Sequence, residues 1–262
     1  MKSERQHRED ICRFGKRLHD VGFVAATDGN LSVRLDHETV LATPTGMSKG
    51  MMEPEDLVVV DMNGKRVVGR RNVSSEIAMH LLIYKLRPEV KGVVHAHPPT
   101  ATGFAAAGIP LNQALCSEVV ITLGCVPLAR YGTPGTPELT EALKPLVPHH
   151  DALLMANHGV VTFGEDLLKA FMKMEAVEHF AKVSLVTHQL GRQQLLGRED
   201  VDKLLAVRQK YEGASGPAGT GPGCPIPAEG VAAPAQSSAA AASNGDRIVV
   251  TRENWRPSWK TR

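Results

Sequence analysis

The chain has 262 residues, with 42% hydrophobic and 4% aromatic residues and a formal net charge of +2 at pH 7. A balance this close to neutral offers no basic surface for nucleic acid or an acidic membrane, and no apolar run is long enough to span a bilayer. The four cysteines, Cys12, Cys116, Cys125 and Cys224, include no C-x-x-C pair, so they read as reduced thiols of a cytoplasmic protein and not as a disulfide frame or thiolate metal site.

The polar start Met1-Lys2-Ser3-Glu4-Arg5 shows no signal peptide. Ile11, Phe14, Leu18 and Val21 recur at helical spacing, which predicts an amphipathic helix over 4–21, ended by Gly22. Short strands are expected at 31–35, 39–43 and 57–61. Asn63-Gly64 marks a hairpin turn, with 66–68 as the returning strand. A helix over about 75–86 stops at Pro88, and strand 91–96 follows. Next come a helix over 99–107, strands at 118–122 and 126–130, a helix over 137–146 and a strand at 152–156. Long and short helices at 165–190 and 199–211 close the pattern. The alternation lacks a regular βαβ rhythm. It predicts one α/β domain over 1–212 with a mixed, largely antiparallel central sheet flanked by helices.

Composition changes at Gly213. Residues 213–245 are almost entirely Gly, Ala, Pro and Ser, the composition of a flexible linker that cannot bury enough apolar surface to offset its ordering entropy. Residues 246–262 form a short basic tail that carries both tryptophans, Trp255 and Trp259, after Ile248-Val249-Val250. Such a peptide reads either as a frayed terminus or as an anchor for a docking partner.

The residues with chemistry form a small set. His95 and His97 are two apart in a strand, so their side chains share a face and offer two imidazoles to one ion. His158, in Asn157-His158-Gly159, ends a second apolar run and supplies a third. Three neutral nitrogens with one position open suit a catalytic zinc better than a structural one. Three loops rich in donors precede the pair: Thr27-Asp28-Gly29-Asn30-Leu31-Ser32, Thr43-Pro44-Thr45-Gly46 and Ser74-Ser75-Glu76. The third opens a helix, a position that favours anions, and together the loops suit a phosphate. Glu76, in the expected first turn of that helix, reads either as a capping carboxylate or as a metal ligand and general base. His80, four residues on, reads as packed beside the site and not as a ligand. Neither a Walker loop nor a G-x-G-x-x-G is present, so a nucleotide cofactor has no support.

In this order and spacing, the three loops, His95-Ala96-His97 and Asn157-His158-Gly159 resemble the class II aldolase/adducin family, with the nearest likeness to its fuculose-phosphate aldolases. The resemblance covers about residues 5–212. It implies one Zn2+ per chain on His95, His97 and His158, with Glu76 as resting ligand and then acid/base. It implies a substrate phosphate on Thr27, Asn30, Thr45, Gly46, Ser74 and Ser75. It further implies a homotetramer with active sites at subunit interfaces, where Tyr211 resembles a tyrosine that reaches the substrate.

Two departures qualify the likeness. Asn112-Gln113-Ala114-Leu115-Cys116 lacks the family's second tyrosine, which leaves the aldehyde specificity open. The related epimerases carry Asp where this chain has Glu76, and a further Asp in that same segment, so epimerase activity is not expected. The implied activity is zinc-dependent cleavage of a ketose 1-phosphate to dihydroxyacetone phosphate and an aldehyde. Alternatives on the same site are a 5-deoxyribulose- or methylthioribulose-1-phosphate aldolase, a dehydratase or a decarboxylase. A catalytically dead, adducin-like binding module is the alternative of another class, and the presence of every histidine and of Glu76 weighs against it. The Pro/Gly/Ala linker with a terminal peptide also resembles the targeting tails of bacterial-microcompartment cargo enzymes, although Pro257 and the β-branched run fit an amphipathic helix poorly.

Overall fold

The computed structural model describes residues 2–212 and Cys224; the tail at 246–262, and the linker at 213–245 apart from Cys224, lie outside the described residues. An eight-stranded sheet runs β4-β3-β2-β1-β5-β8-β7-β6. Its strands are β1 (Asn30–Arg34), β2 (Thr39–Ala42), β3 (Val58–Asp61), β4 (Arg66–Val68), β5 (Gly92–Ala96), β6 (Leu128–Ala129), β7 (Ala152–Met155) and β8 (Gly159–Gly164). Every neighbouring pair is antiparallel except β6 with β7, which is parallel. This is the mixed, largely antiparallel sheet that the pattern predicts.

Helices cover both faces. On one face α1 (Glu4–Asp20), α3 (Pro99–Ala106), α4 (Ser117–Thr122) and α6 (Leu167–Gln189) bury Ile11, Phe104, Val119 and Met174 against Leu31, Val94 and Val160. On the other, α2 (Ile77–Leu86) and α5 (Pro137–Leu143) pack Met79, Ile83, Leu139 and Leu143 on Val60, Val93 and Val161. Burial on both faces explains why β5 reads as a continuous apolar run and not as an alternation. The alternation still decides the site: Val94 and Ala96 point to the α1/α6 face, so His95, with Val93, points to the α2 face. The last helix is α7 (Arg198–Glu212). Among the described residues no helix is long and apolar enough to cross a membrane.

Four expectations are corrected. Residues 118–122, read as a strand from Val119-Val120-Ile121, form helix α4; packing outweighs the weak preference of β-branched residues for strands. Strand β8 goes unforeseen, although Val160-Val161-Thr162-Phe163 is a β-branched run; it pairs with both β5 and β7. Glu76 is the N-cap of α2 and not part of its first turn. Cys125 and Cys224, expected as reduced thiols, are joined in a disulfide, whereas Cys12 and Cys116 are free. The loop before β6 brings Cys125 to the sulfur of Cys224 across 99 residues of chain, a proximity that spacing along the chain cannot reveal.

Candidate metal centre and anion cradle

The three histidines meet. His95 is the fourth residue of β5, His97 follows that strand, and His158 occupies the tight turn between β7 and β8. The His158 N–H donates to Met155 O at 3.0 Å, and Asn157 takes a left-handed φ of 55° to make the turn. Because β8 pairs with β5 in the register Ala96↔Val160, the turn lands beside the end of the histidine strand. His97 Nε2 lies 3.2 Å from His95 Nε2. The ligand nitrogens of all three lie within 4.8 Å of one another.

Glu76 closes the group. Its Oε2 is 3.2 Å from His95 Nε2 and its Oε1 is 3.2 Å from His158 Nε2. Donors about 2.0–2.1 Å from a tetrahedral zinc are separated by roughly 3.3 Å, so these spacings fit such an ion. Orientation fits as well. The His95 Nδ1–H donates to Val160 O at 2.8 Å, which turns the Nε2 lone pair inward. Imidazole lone pairs converging on one point repel each other unless a proton or cation lies among them. Glu76 Oε1 is buried without a hydrogen bond among the described residues. The donor set therefore fits a divalent ion.

The electrostatics agree. Burial would raise the Glu76 carboxyl, but His95 and His158 facing it outweigh burial and hold it well below the usual carboxylate range. Burial, reinforced by His95 and His158, lowers the His97 imidazole to about 4, which keeps its lone pair free. Asp28 Oδ2 sits 3.4 Å from the other nitrogen of His97. The backbone after His97 is also held. Buried Glu178 of α6 accepts from Thr100 N and Ala101 N at 3.1 and 2.9 Å, anchoring the start of α3.

The three donor loops come together. Pro44 and Val73 form an antiparallel bridge, Thr45 N donates to Asn72 O at 3.0 Å, and Ser74 N donates to Thr43 O at 3.2 Å. Thr45, Gly46 and Ser75 are exposed, while Ser74 is buried and accepts from Glu76 N at 3.3 Å. Gly46 and Gly29 have left-handed φ values of 68° and 71°. A Cβ on Gly29 would meet His95 O at 2.8 Å, so only glycine lets the first loop lie against the histidine strand. Thr27 joins through its carbonyl, which accepts from Lys49 Nζ at 2.9 Å. Lys49 also donates to Met47 O, is 1% exposed, and is lowered by burial to about 8. This lysine, tying the first loop to the second beneath the cradle, escapes the sequence reading. Its one legible sign is its place just after Thr45-Gly46.

Asn30 has a second engagement besides the expected anion role: its Nδ2 donates to Glu76 Oε2 at 2.8 Å and its Oδ1 faces His80. The remaining Nδ2 hydrogen stays available to a ligand. Tyr211 lies in α7.

A mixed sheet thus sets three histidines and a glutamate, a donor set that fits a divalent ion, beside three donor-rich loops. The chain belongs to the class II aldolase and adducin N-terminal domain family, whose model matches residues 9–185. It is 30% identical over 211 residues to 5-deoxy-D-ribulose 1-phosphate aldolase of Bacillus thuringiensis serovar kurstaki, covering 79% of this chain and 96% of the relative. It is 37% identical over 180 residues to 3-oxo-tetronate 4-phosphate decarboxylase of Haemophilus influenzae, covering 67% and 85%. A solved L-fuculose 1-phosphate aldolase superposes with a TM-score of 0.72 at 32% identity, over 78% of this chain and 95% of that one.

Proposed function

We propose that this chain is a zinc-dependent aldolase that cleaves a ketose 1-phosphate of the L-fuculose 1-phosphate kind to dihydroxyacetone phosphate and an aldehyde. The observation that carries the reading is the meeting of His95, His97, His158 and Glu76 beside the three donor loops. When bound there, a divalent ion supplies Lewis-acid polarisation of the substrate carbonyl and its neighbouring hydroxyl. Thr27, Asn30, Thr45, Gly46, Ser74 and Ser75 hold the phosphate. As the C3–C4 bond breaks, its electron pair stays on C3, next to the carbonyl. The C4 hydroxyl gives up its proton as the aldehyde forms; Glu76, ionised at rest, takes up a proton and delivers it to C3, and the transfers reverse in the condensation direction. We place Tyr211 at a neighbouring subunit's site in a homotetramer, an arrangement that light scattering of the purified protein tests.

The 37% identity to a decarboxylase favours a second reading. Removing the carboxyl carbon from a 3-oxo-tetronate 4-phosphate leaves the carbon skeleton of dihydroxyacetone phosphate. Both reactions thus break a C–C bond to the same carbon of the same triose phosphate and differ only in what departs, carbon dioxide or an aldehyde. One coupled assay separates them. Zinc-loaded protein is incubated with L-fuculose 1-phosphate, 5-deoxy-D-ribulose 1-phosphate or 3-oxo-tetronate 4-phosphate, and dihydroxyacetone phosphate is read by a dehydrogenase. Release from a ketose 1-phosphate supports the aldolase. Release from the keto acid alone replaces it with the decarboxylase, and release from none rejects both.

A further inference from the structure

The N-cap Glu76 and the α2 residues His80 and Tyr84 follow one another at four-residue spacing. Strand β1 presents Asn30 and Ser32 two apart, on one face. The two ladders interlock. Tyr84 Oη lies 2.8 Å from Ser32 Oγ, Ser32 Oγ 2.6 Å from His80 Nδ1, His80 Nε2 2.5 Å from Asn30 Oδ1, and Asn30 Nδ2 2.8 Å from Glu76 Oε2. Asn30, Ser32, His80 and Tyr84 are each at most 4% exposed.

The direction of every bond follows from its last member. An ionised carboxylate only accepts, so the Asn30 amide must turn its nitrogen to Glu76 and its oxygen to His80. A carbonyl oxygen only accepts, so His80 must carry its proton on Nε2. Burial lowers the His80 imidazole to about 3, so it stays neutral and its Nδ1 accepts from the Ser32 hydroxyl. Ser32 in turn accepts from Tyr84. Four donors point one way, and each polarises the next toward the carboxylate.

We propose that His80 is a positioning residue for the reaction: by donating from Nε2 it locks the Asn30 amide in the orientation that hydrogen-bonds the Glu76 carboxylate. Without that donor, Asn30 can flip and set its oxygen against Glu76, which repels the carboxylate and turns it from the carbon it serves. The three imidazoles and the backbone of the phosphate loops are untouched by such a flip; of the phosphate donors only the Asn30 amide turns away. The role of Glu76 in turnover rests on the reading above; the bond pattern does not.

The test has two independent readouts. In protein labelled with 15N-histidine and free of metal, His80 should give the signals of a neutral imidazole protonated on Nε2. A neutral ring with its proton on Nδ1, leaving Nε2 without a hydrogen, would overturn the proposal whatever the substrate proves to be. For catalysis, His80→Leu removes the donor, whereas His80→Gln sets an amide nitrogen the same number of bonds from Cβ as Nε2. With metal content equal to wild type, H80L should lower kcat by roughly 10- to 100-fold, the usual effect of losing such a supporting partner. The fall in kcat should exceed any rise in KM for the sugar phosphate, because the flip costs the phosphate one donor of several but misplaces the carboxylate that moves the proton. H80Q should recover most of the loss. Equal impairment of both variants, or a loss confined to KM, would sink the idea. Should H80L fail to fold, the H80Q kinetics and the tautomer still decide it. If no sugar phosphate is turned over by wild type, the function reading fails alone and the tautomer decides the hydrogen-bond pattern.

Discussion

Gly159 is the point where one methyl group should undo the metal centre. A Cβ at this position would lie 2.4 Å from His97 Cδ2 and 2.8 Å from Ala96 O. Carbon atoms in contact sit about 3.5–4.0 Å apart, so Gly159→Ala creates an overlap of roughly 1 Å with the ring. The backbone is no obstacle, since Gly159 is not among the residues with positive φ. Ala96 is held in the ladder opposite Val160 and cannot retreat, which leaves the imidazole to move. A metal site tolerates about 0.2 Å of ligand error, and a displacement near 1 Å costs about 100-fold in rate. We expect G159A to fold, to lose about 1–3 kcal/mol to overpacking, to bind zinc at least about 10-fold more weakly, and to lose more than about 100-fold in kcat/KM. Chelator competition on the folded variant reads the affinity, and urea denaturation of the metal-free form reads the stability. A variant with wild-type zinc affinity and turnover would refute the steric argument.

Other perturbations separate chemistry from scaffold. Glu76→Gln should keep much of the metal but lose on the order of 10²–10⁴ in kcat; undiminished exchange of the dihydroxyacetone phosphate proton, followed by NMR, would remove Glu76 from the mechanism. Asp151, 3% exposed, lies 2.9 Å from Arg87, 2.5 Å from Lys173 and 3.6 Å from Arg208. Asp151→Asn should cost about 3–5 kcal/mol in urea denaturation at pH 7, because buried cations lose their counter-charge. Burial opposes but Lys173 and Arg87 prevail in depressing the Asp151 carboxyl, so its contribution is present above the unfolded value near ~3.9 and fades as pH falls below it. The penalty of D151N should therefore shrink in acid, and a penalty independent of pH would contradict this. With Cys125 bonded to Cys224, denatured unreduced protein should titrate only the two free thiols, Cys12 and Cys116; a count of every cysteine would remove the disulfide.

Local pattern alone made much of this protein legible. The same-face spacing of His95 and His97, the turn residues of the three loops and the helical periodicity of α1 each depend on neighbours a few residues away, and such interactions are written directly in the chain. In order, those pieces carry the resemblance that implies the family's fold and the expected ligand set. What stayed hidden depends on contacts between distant segments. The β-branched run at 119–121 is helical because packing outweighs propensity, and β8 exists because β5 and β7 both offer it open edges. Cys224 finds Cys125 across 99 residues. Lys49 likewise needed the segment after Gly46 folded back under the first loop, and the Tyr84–Ser32–His80–Asn30–Glu76 series needed α2 laid against β1. A buried polar side chain must find a partner or bear the cost of desolvation. The chain lists which residues will need partners, but only the packing of helix on sheet decides which of them meet.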